Sequence, residues 1–221
     1  MTKEEALKEV AKRIAVCEQC KYQPNQNPVP GEGSPDAEIM FVGEAPGKKE
    51  NETGRPFVGA AGKFLNEMLN SIGLEREDIF IANVIKYQPP GNRDPLPEEI
   101  VMQLPFLKKQ IAIIKPKLVC FLGRHSMTAF LPDIGPISKV HGQLIWKEQV
   151  LGTRNSELVK QGPGTRELEL DGKLVPSSQS LVPAAYLPLY HPAAALYNGG
   201  MRQTLLDDFA KIPEYMDKIK R

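Results

Sequence analysis

Apolar residues along this chain alternate between two patterns, short continuous runs and helical stripes. Runs at 39–42, 79–84, 117–122 and 185–189 are four to six residues long, so each predicts a strand buried on both faces. Thr2 and Glu5 form a capping box ahead of Leu7, Val10 and Ile14, which share one face and predict a helix over 3–15. Phe64, Leu65, Met68, Leu69 and Ile72 predict a core helix that Gly73 ends. Ile100, Leu104, Leu107, Ile111 and Ile114 predict a helix over 97–114, which Pro105 should kink or restart. A short helix over 124–131 and an amphipathic helix over 202–219 complete the series. Strands alternating with helices imply right-handed crossovers. The expected fold is therefore α/β, a three-layer sandwich with a central, mostly parallel four-stranded sheet and helices on both faces.

Two stretches break the alternation. Residues 22–36 hold four prolines and two glycines, an irregular covering segment with no room for an element. Between about 147 and 182 the apolar period fades and Gly, Ser, Gln and Thr dominate. Within it, 168–175 reads as a small hairpin turning at Asp171-Gly172. The expectation is a single domain over 1–221 with this segment as an elaboration at the sheet edge.

In sheets of this kind ligands bind outside the carboxyl ends of the strands. Gly43, Asn83, Gly123 and His191 lie at those ends, so four loops should meet at one rim. Gly43-Glu44-Ala45-Pro46-Gly47 has the glycines for close backbone approach and a proline to stiffen it. Gly54-Arg55-Pro56-Phe57-Val58-Gly59 sets one aromatic ring in a second glycine-bracketed loop, where it would lie on a flat ligand or fold back into the core. The loop from Lys86 to Arg93, with two prolines, a glycine and two cations, reads as a rigid exposed loop. It either grips phosphates or is a solvated turn.

Composition narrows the partners. A hydrophobic share of 41% and a charged share of 25% in 221 residues are ordinary for a globular protein. The net charge of +1 creates no global field, so any DNA contact must come from local clustering of the 28 Lys and Arg. No apolar run approaches the ~20 residues that span a bilayer, and Met1 is followed by no secretory apolar core. A cytoplasmic protein without a membrane partner, acting as a monomer, is expected. Three cysteines argue against a disulfide framework. Cys17-x-x-Cys20 lacks a matching second pair, and Cys120, inside an apolar run, reads as core.

Taken as an ordered set, GEAPG, GRPFVG, the NVIK block with its PP and NR, LPFLKKQI with IKP, and YHPAAAL resemble the motif series of the family 4 uracil-DNA glycosylases. The likeness runs from about Cys17 to Asp208. GEAPG matches neither a dinucleotide-binding nor a Walker fingerprint. The resemblance implies a DNA repair glycosylase that flips uracil out of DNA and hydrolyses its N-glycosidic bond. The alternative is a protein of the same fold that binds or covalently traps uracil-DNA without efficient turnover. It implies that Gly43 and Glu44 lie against uracil, that Phe57 stacks on it, and that Glu50 crowds the C5 edge. Asn83 would read N3 and O4, and His191 would sit by O2. Ala45 holds the position where another uracil glycosylase family carries a water-activating aspartate, which leaves Glu44 or backbone-held solvent for that task. Leu196 or Tyr197 would fill the gap left in the stack, and Lys86 and Arg93 would flank the DNA. One departure is large. The family implies a 4Fe-4S cluster on four cysteines, but Tyr87 and Gln103 stand where the second pair belongs. No ordinary cluster is expected, with packing around Tyr87 in its place; a zinc or a partial cluster on Cys17 and Cys20 with non-cysteine ligands is the alternative.

Overall fold

The computed structural model describes residues 1–146 and 184–220. Its centre is one sheet of six strands, in the order β1-β3-β2-β4-β6-β5. These are β1 (Glu32–Gly33), β2 (Ile39–Gly43), β3 (Phe80–Asn83), β4 (Leu118–Leu122), β5 (Ile145–Trp146) and β6 (Ala185–Leu189). The four long strands are the four expected from their apolar runs, and they pair in parallel. The two extra strands are antiparallel and close the edges, β1 on β3 and β5 on β6. Each is two residues long, too short to carry an alternating pattern, and β1 lies inside the Pro/Gly-rich stretch expected to hold no element.

The sheet separates two cores by strand alternation. Ile39, Phe41, Ile81, Cys120 and Leu187 face one side, against α3 (Ala60–Ser71), α8 (Gly200–Phe209) and α9 (Ile212–Lys220). Met40, Val42, Phe80, Val119 and Phe121 face the other, against Leu107, Ile111 and Ile114 of α4 (Pro97–Ile114) and Met127 of α5 (Arg124–Phe130). A third cluster joins Val10 and Ile14 of α1 (Lys3–Ala15) to Cys20 and Tyr87. The capping box at Thr2 is present in full.

Several local expectations change. α4 runs unbroken through Pro105. The last helix is two: α8 ends at Phe209 and α9 begins at Ile212, because Pro213 has no N–H to return to the carbonyl of Phe209. A helix, α2 (Lys48–Thr53), occupies part of the polar crossing after β2. Short helices α6 (Ile137–Val140) and α7 (Ala194–Tyr197) follow β4 and β6 in the chain. Cys17 and Cys20 are joined in a disulfide, against the expectation of none, while Cys120 is buried as expected. The hairpin expected at 168–175 lies outside the described residues. No helix among those described is long and apolar enough to cross a membrane.

Candidate active site at the strand ends

Parallel pairing sets Gly43 level with Asn83, and the Gly123 N–H bonds to Leu189 O at 2.8 Å, so the carboxyl ends finish at one rim. Gly43 is the point of closest approach. A Cβ there would stand 2.4 Å from Asn83 Oδ1 and 2.6 Å from Phe57 Cζ, so no side chain fits. At Gly123 a Cβ would meet His191 Cβ at 3.2 Å, and the His191 and Phe57 rings lie 5.6 Å apart, tilted by 31°. Phe57, Asn83 and His191, distant in sequence, therefore share one rim.

Each of the three is held in an unusual state. Asn83 is 1% exposed, and its Oδ1 has no hydrogen-bond partner among the described residues. A buried acceptor left unpaired costs ~1–3 kcal/mol, which a ligand N–H would relieve. Phe57 is buried with φ at +52°, a left-handed conformation that costs a non-glycine residue ~1–3 kcal/mol. His191 Nδ1 accepts the Ala193 N–H at 3.1 Å, which leaves the ring proton on Nε2. Burial lowers the pKa of His191 to about 4, against a smaller opposing pull from the Glu50 carboxylate. At neutral pH the ring is an uncharged Nε2–H donor.

The loops around this trio are braced. Glu50 Oε1 accepts the N–H groups of Val58 and Gly59, each at 2.8 Å. The side chain expected at the C5 edge of a base thus has one carboxylate oxygen engaged with the loop that carries Phe57. Ala45 is half-buried. Glu44 is also half-buried, and its carboxylate lies 4.0 Å from His125 Nε2, which in turn approaches Asp94 Oδ2 at 3.1 Å. Burial raises the pKa of Glu44, and the nearby His125 pulls against it. Glu44, Asp94 and His125 have the residue types of a metal site. Arg124, however, already bonds Asp94 at 2.8 Å and His125 Nε2 at 3.1 Å, so its guanidinium supplies the positive charge there.

Other expected residues divide. Leu196 and Tyr197, on α7 just past His191, are 49% and 91% exposed. Lys86 is corrected outright: it is fully buried, not in an exposed loop, and its Nζ donates to Gln110 Oε1 at 2.8 Å and Pro30 O at 3.4 Å. The strand pairing that continues past Asn83, with the Ile85 N–H on Glu44 O at 2.9 Å, carries Lys86 inward. Arg93 is exposed but engaged, bonding Glu99 and lying 5.5 Å over the Tyr22 ring. His125, Asp94 and Arg76 were not foreseen. Arg124 and His125 follow directly after a strand-ending glycine, a signal that could have found them; Arg76 sits in a charged turn with no distinguishing pattern.

The cluster position is occupied by side chains. Tyr87 is fully buried and its hydroxyl donates to Ile14 O at 2.7 Å. Gln103 accepts the Lys86 N–H at 2.7 Å and reaches Cys20 O at 3.4 Å. With Cys17 and Cys20 bonded to each other, the residues present do not fit a four-thiolate cluster.

A family model described as the uracil DNA glycosylase superfamily matches residues 30–217 of this chain. The chain belongs to that superfamily. Its full-length similarity is to proteins named type-4 uracil-DNA glycosylase. That of Sulfurisphaera tokodaii is 42% identical over 98% of this chain and 88% of its own. That of Archaeoglobus fulgidus is 39% identical, covering 97% and 95% of the two chains, and that of Thermotoga maritima is 36% identical, covering 98% of each.

Proposed function

We propose that this protein is a monofunctional uracil-DNA glycosylase: it takes uracil out of the DNA stack, hydrolyses the bond between C1′ and N1, and leaves an abasic site. The observation that carries the reading is the unpaired, buried Asn83 Oδ1 at the rim shared by Phe57 and His191. Uracil offers an N–H at N3 and an acceptor at O4, which match the carbonyl and amide nitrogen of an asparagine. Cytosine reverses both, and two mismatched buried groups correspond to discrimination on the order of 10² to 10⁴.

The chemistry follows from the groups at hand. When the C1′–N1 bond breaks, its electron pair leaves with the base, and negative charge gathers on uracil O2 while the sugar becomes oxocarbenium-like. A neutral His191 Nε2–H donates to that oxygen without needing to lose a charge of its own. Water adds to C1′, and its proton passes to Glu44 or to solvent held by the backbone. Glu50, Gly43 and Ala45 shape the pocket, Leu196 or Tyr197 fills the vacated stack, and Arg93 lies at the DNA side. The full-length similarity to type-4 enzymes supports this reading. The donor set at 17, 20, 87 and 103 supports a protein that works without an iron-sulfur cluster.

The test is excision from a uracil-containing oligonucleotide followed by alkaline cleavage, with Asn83→Ala and His191→Ala beside the parent. Each substitution is expected to slow excision by ~10² or more, through loss of an aimed polar contact. Parental rates in both variants remove this site. A retained, shifted band in place of scission identifies the trapping alternative.

A further inference from the structure

Phe57 holds a left-handed backbone that side chains rarely adopt, so something must keep it there. Two charged side chains do so, one through main-chain N–H groups and one through carbonyls. Glu50 takes the N–H groups of the next two residues, Val58 and Gly59. Arg76, in the turn ahead of β3, donates from Nη2 to Pro56 O at 2.7 Å and from Nη1 to Phe57 O at 3.1 Å, with a further bond to Asn66 Oδ1 at 3.1 Å. Main-chain groups of four consecutive residues, 56 to 59, are thereby fixed. Gly62 leaves the room this geometry needs, since a Cβ there would sit 1.8 Å from Phe57 O.

Arg76 is itself aimed. Its Nε donates to Glu32 Oε1 at 2.9 Å, its Nη2 pairs with the same oxygen, and its side chain is 15% exposed. Arg55 bonds both Glu32 oxygens, at 2.7 and 3.2 Å, and holds that carboxylate in turn. Glu32 lies on β1 opposite Ile81, two residues before Asn83. The edge strand therefore ties the clamp on the ring loop to the strand that presents the base-reading amide.

We propose that Arg76 is a positioning residue for uracil excision: it locks the Pro56 and Phe57 carbonyls so that the ring lies beside Asn83 and His191, and Glu32 orients its guanidinium. This rests on the reading of Phe57 as the surface that stacks on the base. A planar fork with several fixed donors is required, which a lysine ammonium does not provide.

A double-mutant cycle on a single-stranded uracil oligonucleotide under single-turnover conditions tests it, with thermal unfolding followed for every variant. Arg76→Met and Phe57→Ala are each expected to lower the excision rate by ~10- to 100-fold. The double variant should be no slower than Phe57→Ala alone, because Arg76 acts through the ring. Arg76→Lys should remain impaired. Where Arg76→Met does not fold, Glu32→Gln, which keeps the guanidinium, carries the same cycle: a loss that disappears in the Phe57→Ala background supports the proposal. Parental rates in the clamp variants with Phe57→Ala impaired, or losses that multiply in the double variant, overturn the clamp and leave the stacking reading standing. A parental rate in Phe57→Ala overturns both.

Discussion

Lys86 shows how a single side chain departs from its surroundings in sequence. Followed by Tyr-Gln-Pro-Pro-Gly-Asn-Arg, it reads as part of a cationic loop, yet it is fully buried, and its partners among the described residues, Gln110 and Pro30, are neutral. Burial pushes its pKa down from 10.5 to about 7. Between those values the unfolded chain binds a proton that the folded chain has released, so stability rises with pH across that window. The burden of the charged form is fully present below pH 7, and crossing the whole window is worth on the order of 5 kcal/mol. Urea midpoints measured from pH 7 to 10 should therefore climb in the parent and flatten in Lys86→Met. An equal slope in both would mean that the ammonium reaches water. His191 has the same sign at lower pH, with stability gained from about 4 up to its ordinary 6.5. Above that range it is a neutral donor, so it imposes no acid limb on excision near neutrality. Glu44, raised by burial, is the group expected to set that limb above the usual carboxylate range.

At the level of elements, the long ones were legible and the short ones were not. Five apolar residues in a row announce β4, and the spacing of Leu107, Ile111 and Ile114 announces α4. Two-residue β1 and β5 carry no period, and both owe their pairing to a neighbour that is already in place. α7 is four residues long and was visible only as the tail of a His-Pro motif, yet it displays the two exposed apolar side chains nearest His191 in sequence. A wedge matters only where a stack must be filled. Leu196→Ala combined with Tyr197→Ala is thus expected to slow excision from duplex DNA by about tenfold more than from single strands, equivalent to ~1.4 kcal/mol. Equal losses on both substrates would assign these residues to general DNA contact instead.

Across the whole molecule, the sheet works as an alignment device. Register levels Gly43 with Asn83, and β4 and β6 bring Gly123 and His191 to the same rim, so four loops far apart in sequence build one site. α1, the Cys17–Cys20 bridge, Tyr87 and Gln103 form a packed plug in the position where the family likeness would set a cluster. Iron and acid-labile sulfide, measured on anaerobically purified protein, are expected to be near zero. A stoichiometric content of four irons would overturn that, and would require the tyrosine and glutamine to leave their hydrogen bonds.

The sequence by itself determined the four parallel strands, the helices that cross between them and the identity of the residues at the strand ends, because apolar periodicity and glycine placement are local signals. Tertiary structure alone decided which polar groups are left unpaired, which cations are buried and which carboxylates are taken by loop amides. Asn83 and Lys86 are both polar residues at the end of one run, and only the packing around them makes one an open acceptor at a rim and the other an enclosed amine. The clamp on Phe57 belongs to the same class, since Glu32, Glu50 and Arg76 meet only when an edge strand, a helix and a turn have been brought together by the sheet.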